Sequence, residues 1–193
     1  MTSRAMRSFS PTALARLECD AWTAYYRRRW PRVLGASLGL VREGFGLRGV
    51  AALRGAWWVL RANQVWAPYP DNDPDAARAY MERFYTLVAK REGMAFDPVE
   101  AARLDVAWWK EHREMQHGDA AGFDRLTDAV ADLYAHSYGV DGVSVRESAR
   151  LRAEAMRVCD GWVAAGCDPG SPAIAAIGGL LLRSYLGLRA AVA

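Results

Sequence analysis

Asp97-Pro98-Val99-Glu100-Ala101-Ala102-Arg103-Leu104-Asp105-Val106-Ala107-Trp108-Trp109-Lys110-Glu111-His112-Arg113-Glu114-Met115-Gln116-His117-Gly118 is the stretch whose reading decides the fold. Aspartate before proline opens a helix: the carboxylate caps free amides, and proline's missing N–H is not needed in the first turn. Counting about 100° per residue from Leu104, Ala101, Ala107, Trp108 and Met115 fall within about 60° of it, a helical stripe that Gly118 stops. The same stretch holds two of the chain's three histidines beside its carboxylates.

Working outward, the helical grammar recurs along the chain. Ser10-Pro11 repeats the opening cap, followed by Leu14, Leu17, Ala21 and Tyr25. From Arg32, Leu34, Leu38, Val41 and Phe45 keep the period until Gly44-Phe45-Gly46. A segment from about Gly49 to Trp66 is apolar on nearly every side, as a helix with two contact surfaces would be. The loop Ala67 to Asp75, rich in proline and aspartate, separates two helical halves. Beyond it, helices are expected from about Ala77 to near Gly93, from Asp97-Pro98 to Gly118, through Leu126 to Ser137, from Asp141-Gly142 to about Trp162, and from Ser171-Pro172 to the C-terminus. No sustained alternation of period two occurs, so no sheet is expected. The expectation is an all-α, single-domain bundle of seven or eight helices spanning residues 1–193.

Composition bounds the function. At 193 residues, 52% hydrophobic and 24% charged, the chain is of ordinary globular make-up, which excludes disordered and fibrous classes. Its net charge of +3 comes from arginines scattered along the sequence, with Arg27-Arg28-Arg29 the one dense run, so there is no strong nucleic-acid signal. Three cysteines without C-x-x-C spacing argue against a disulfide framework and a thiolate zinc site, and a cytoplasmic setting is expected. The N-terminus lacks the apolar core of a secretory signal. The stretch Pro172 to Ala193 is long enough to span a membrane but carries Arg183 at mid-depth, which costs about 2.5–3.5 kcal/mol, so it reads as a core helix rather than a transmembrane segment.

Helical phase selects the candidate site. Glu111 falls at about −20° from Leu104, in the stripe, and His112 at about +80°, at its margin. Glu114 and His117, at about −80° and −140°, turn away. Glu18 lies at about +40° from Leu14, and Glu147 and Glu154 at about −40° and −60° from Leu151. A carboxylate among apolar residues needs a cation, a donor, a proton or a metal. Glu and His converging from facing helices is how bundles build carboxylate-bridged metal sites. The expectation is therefore an interior site in which Glu18, Glu111, His112 and Glu154 bind a divalent metal such as iron, or in which Glu111 and His112 act as acid and base, with Trp108 as the pocket wall. The bland alternative is that Glu18, Glu111 and Glu154 pair with arginines and Glu147 serves the helix dipole. The di-iron pattern, two Glu-x-x-His pairs plus two lone glutamates, is not met by the single pair Glu114-x-x-His117.

Two further features invite a reading. Asp71, Asp73, Asp75 and Glu82 match a calcium-loop register in part, but Ala76 stands where glycine is needed, so a helix cap is the better role for Asp73 or Asp75. Eight tryptophans, with pairs at Trp57-Trp58 and Trp108-Trp109, exceed what one packed face needs. A non-catalytic alternative is a protein or membrane-surface contact through residues 32–66, where Arg42, Arg48, Arg54 and Arg61 accompany the tryptophans.

Overall fold

A computed structural model describes residues 4–92, 96–118 and 122–193, and every regular element among them is a helix. A short α1 (Arg4–Arg7) precedes α2 (Pro11–Tyr26), α3 (Trp30–Phe45), α4 (Gly49–Trp66), α5 (Pro74–Glu92), α6 (Pro98–Gln116), α7 (Gly122–Tyr138), α8 (Gly142–Ala164) and α9 (Ala173–Val192). The eight long helices are those expected, and three of the predicted capping side chains hold, whereas α9 has Pro172 at its N-cap in place of Ser171 and no side-chain cap bond from that residue. Ser10 Oγ accepts from Ala13 N at 3.3 Å, Asp97 Oδ1 from Val99 N at 3.0 Å, and Asp141 Oδ1 from Val143 N at 3.0 Å. Gly46, at φ 68°, takes the left-handed turn that ends α3. The stop expected near Gly93 lies outside the described residues.

The helices form a ring. Each of α2 to α9 packs on its neighbours in sequence, and α9 closes the circle by packing against α2. Across the loop between them, α4 and α5 pack on each other. A helix in such a ring buries two flanks and presents a third face inward. That is why residues such as Asp105, Trp109 and Met156 are buried away from any single stripe.

The first described residues form a helical plug. Met6 and Phe9 are almost wholly buried, and Phe9 packs its ring against Tyr138 and Tyr185. Arg7 donates to the carbonyls of Tyr138 and Val192, and Arg189 donates to that of Phe9, tying α1 to the far end of the chain. Of the described helices, α9 alone is long and apolar enough to cross a membrane by length and composition. It buries Ile177, Leu181, Ser184, Tyr185, Leu188 and Val192 along one face within the ring.

Candidate functional site

Inside the ring is a cavity of about 270 Å³, to which every helix contributes. On α6, Asp105, Trp108, Trp109, His112 and Gln116 line it. From Leu104 these lie at about +40° to +140°, so the inward direction is rotated roughly 90° from the apolar stripe. On α8 the same rotation from Leu151 brings Arg152, Met156 and Cys159 inward. The stripes chosen by apolar period are largely the flanks on which helices touch each other, while the polar residues beside them face the lumen.

At mid-depth stands a buried ionic cluster. Glu18, 4% exposed, receives Nε and Nη2 of Arg152 on Oε1, and the Tyr185 hydroxyl on Oε2 at 2.6 Å. The Arg152 guanidinium carbon lies 4.8 Å from the Trp108 ring centre and 5.9 Å from that of Tyr134. Burial alone would weaken the proton's hold on Arg152, but the facing Glu18 carboxylate outweighs it and keeps the guanidinium charged. Trp108 donates Nε1–H to Asp105 Oδ1 at 2.7 Å, and Tyr85 donates its hydroxyl to Oδ2 at 2.9 Å. Burial pushes the Asp105 carboxyl above the usual carboxylate range, against the pull of these donors and of Arg152. Burial likewise raises the Tyr85, Tyr134 and Tyr185 hydroxyls, so all three stay protonated.

Nearer the C-terminal ends of α2, α4, α6 and α8 lies a second polar group. His112 Nε2 is 3.0 Å from Asp160 Oδ2. A carboxylate only accepts, so Nε2 carries a proton toward Asp160, and among the described residues no hydrogen bond engages Nδ1. Gln116 Nε2 braces the arrangement, donating to Asp160 Oδ1 at 2.6 Å and to the Tyr26 hydroxyl at 2.9 Å. Arg113 spans the rims of Trp66 and Tyr69 at 5.4 and 5.2 Å from their ring centres, and Tyr69 stacks on His117 at 4.2 Å. The opposite end of the cavity is the one stoppered by Met6 and Phe9.

The four expected ligands are not brought together. Glu18 is taken by Arg152 and Tyr185 inside, Glu111 by Arg125 of α7 at 2.9 Å, Glu154 by Arg157 one turn along its own helix, and His112 by Asp160. Glu111 and Glu154 lie on helix flanks, which explains both their place in the apolar stripe and their distance from the lumen. Glu147 likewise pairs with Arg150. Among the described residues no three His, Cys, Asp or Glu side chains form a metal-holding group. Glu18, His112 and Trp108 do line the cavity, whereas its partners Asp105, Arg152, Tyr134, Tyr185 and Gln116, and Asp160 behind His112, were not singled out from the sequence. Asp73, for its part, caps α5, accepting from Ala76 N at 2.8 Å.

Comparison of the chain with protein-family models, curated proteins and solved structures finds no match.

Proposed function

We propose that this protein binds a small, largely apolar molecule inside its helical ring, and that His112, oriented by Asp160, serves as an acid/base group toward it. The observation that carries this reading is the unfilled lumen of about 270 Å³, with an ionic cluster on one wall and apolar side chains on the others. Close-packed interiors leave few voids larger than a water molecule. A volume of this size that side chains leave open, with a few convergent polar groups in an apolar lining, is the usual mark of a ligand site. By proportion with the roughly 150 Å³ void that holds benzene, the lumen accommodates about ten non-hydrogen atoms.

Crystals soaked with iodobenzene test the binding step. Iodine density within the ring is expected, and a lumen filled by repacked side chains would refute it. The acid/base step is tested with acetophenone in D2O, whose methyl protons are weakly acidic. Wild-type protein is expected to speed their exchange for deuterium, and His112→Gln to abolish that acceleration without changing affinity. Equal exchange rates in the two proteins would remove His112 from the role.

A second reading rests on a different face. Val50, Leu53 and Trp57 are 72%, 56% and 51% exposed, on one outward side of α4. Arg54 and Arg61 share that side, Arg48 precedes it, and α4 carries no carboxylate. An apolar strip framed by cations fits an anionic lipid surface. Cosedimentation with phosphatidylglycerol vesicles but not phosphatidylcholine vesicles is expected, with loss in Trp57→Ser. Binding to neither, or equal binding by the variant, would dismiss it.

A further inference from the structure

Tyr134 carries a polar atom that the fold leaves unserved. The residue is 6% exposed, it lines the lumen, and its hydroxyl has no hydrogen-bond partner among the described residues. Ser184, which donates its own proton to the Ser148 carbonyl at 2.8 Å, and Arg152 both stand beside that hydroxyl, but neither meets it in hydrogen-bond geometry. Arg152 directs Nε and Nη2 at Glu18, and among the described residues no hydrogen bond engages Nη1. Tyr134 and Arg152 are neighbours, the guanidinium carbon standing 5.9 Å from the ring centre. One wall of the lumen thus offers two unspent donors side by side. Of the two, the Tyr134 hydroxyl is the buried one, and a buried donor without an acceptor is costly and rarely retained without a reason.

The charge balance of that wall narrows what can satisfy them. Glu18 and Arg152 neutralise each other, and the second Glu18 oxygen is held by Tyr185. Both Asp105 oxygens already receive donors. A ligand carboxylate here would meet no uncommitted cation and would bring an uncompensated charge into a low-dielectric interior. A ligand hydroxyl would bring a donor of its own that needs an acceptor. A carbonyl oxygen has two lone pairs and no proton, so it can accept from both donors at once and leaves nothing unsatisfied. Across the ring, α3 and α5 supply Val41, Phe45, Met81 and Phe84, a surface suited to an apolar body.

We propose that the ligand is a neutral carbonyl compound whose oxygen is received by the Tyr134 hydroxyl and Arg152 Nη1, with its apolar body against α3 and α5. The inference rests on the interior binding site described above and specifies its chemistry. It also gives the acid/base group a target, since a polarised carbonyl acidifies its neighbouring C–H bonds.

Three probes of equal size separate the claims: acetophenone, benzoate and propylbenzene, each of about nine non-hydrogen atoms and within the capacity of the lumen. Dissociation constants are to be measured at pH 7 for wild type and Tyr134→Phe, from the ligand-dependent rise in Tm. Acetophenone is expected to bind wild type at least about fivefold more tightly than propylbenzene, the worth of an ordinary net hydrogen bond. Benzoate is expected to bind most weakly. Tyr134→Phe should erase most of the advantage of acetophenone while leaving propylbenzene unchanged. Equal affinities for acetophenone and propylbenzene overturn the carbonyl assignment while leaving the cavity occupied. Tightest binding of benzoate also overturns it and moves recognition to Arg113. Failure of all three, propylbenzene included, defeats the interior site itself.

Discussion

Arg152→Met isolates the energetic centre of the lumen. Methionine roughly keeps the volume of the arginine stem but strips Glu18 of the guanidinium that holds Oε1, leaving Tyr185 as its one remaining donor. Glu18 is 4% exposed, so the stranded carboxylate has almost no access to water. Breaking a buried pair by removing one partner costs about 3–5 kcal/mol. Loss of the cation over the Trp108 and Tyr134 rings adds about 0.5–1 kcal/mol each. The total is about 4–7 kcal/mol, which for a chain of this size lowers Tm by about 8–28 °C at roughly 2–4 °C per kcal/mol. The double variant Glu18→Leu, Arg152→Met removes both charges and should recover most of the loss, because apolar replacement of a whole buried pair is often neutral or stabilising. Urea unfolding followed by tryptophan fluorescence measures all three proteins. An Arg152→Met variant within about 1 kcal/mol of wild type, or a double variant no better than the single, would refute the cluster's burial and the pairing it rests on.

Other perturbations read other regions of the structure. Burial raises the Asp105 carboxyl above its unfolded-state value, so its contribution to stability is full below about pH 4 and is lost as pH rises through the folded-state value. Asp105→Asn should therefore gain stability relative to wild type as pH increases from the acidic range to neutrality, and parallel urea midpoints across that range would contradict the direction. Tyr134→Phe deletes a hydroxyl without a partner, so unlike most core changes it should leave the ligand-free protein as stable as wild type or stabilise it by about 1 kcal/mol. A clear loss in its unfolding curve would reveal an acceptor. A Cβ on Gly187 of α9 would lie 2.7 Å from Ser148 Oγ of α8, so Gly187→Ala should cost about 1–3 kcal/mol. Adding Ser148→Ala should restore most of it, and a double variant as weak as the single would place the strain elsewhere.

The fold was more legible than the site. Capping residues at Ser10, Asp97 and Asp141, with prolines after the first two, mark helix starts by local chemistry that tertiary packing does not alter. Ring closure carries no such mark, since it depends on which flanks of α2 and α9 meet. Around α6 the lumen-facing row differs from the apolar stripe for a definite reason. One apolar stripe implies one buried direction, and Leu104, Glu111 and Met115 do follow it. A helix held between two neighbours, however, turns a different face to the lumen. Asp105, His112 and Gln116, spaced by seven and four, form that second inward row, and only His112 of the three drew notice. Glu18 was found because on α2 the stripe and the lumen nearly coincide. Arg152 was invisible among so many arginines: nothing local distinguishes it from Arg150 or Arg157, which pair on the surface.

The closure of α9 on α2 bears on how the chain reaches this shape. Every other major helix interface joins elements adjacent in sequence, so most native contacts can form over short loops at small entropic cost, much as stacked repeats do. The α2–α9 interface alone must wait for the whole length of the chain to come round. It is the expected late event in folding, and a low overall contact order should make the earlier steps fast. The same closure brings Arg7 against the Val192 carbonyl. Arg7 and Val192 could therefore be joined by a short linker and the circle opened instead in the loop between α4 and α5. Such a circular permutant would convert the slow closure into a local one and leave the lumen unchanged.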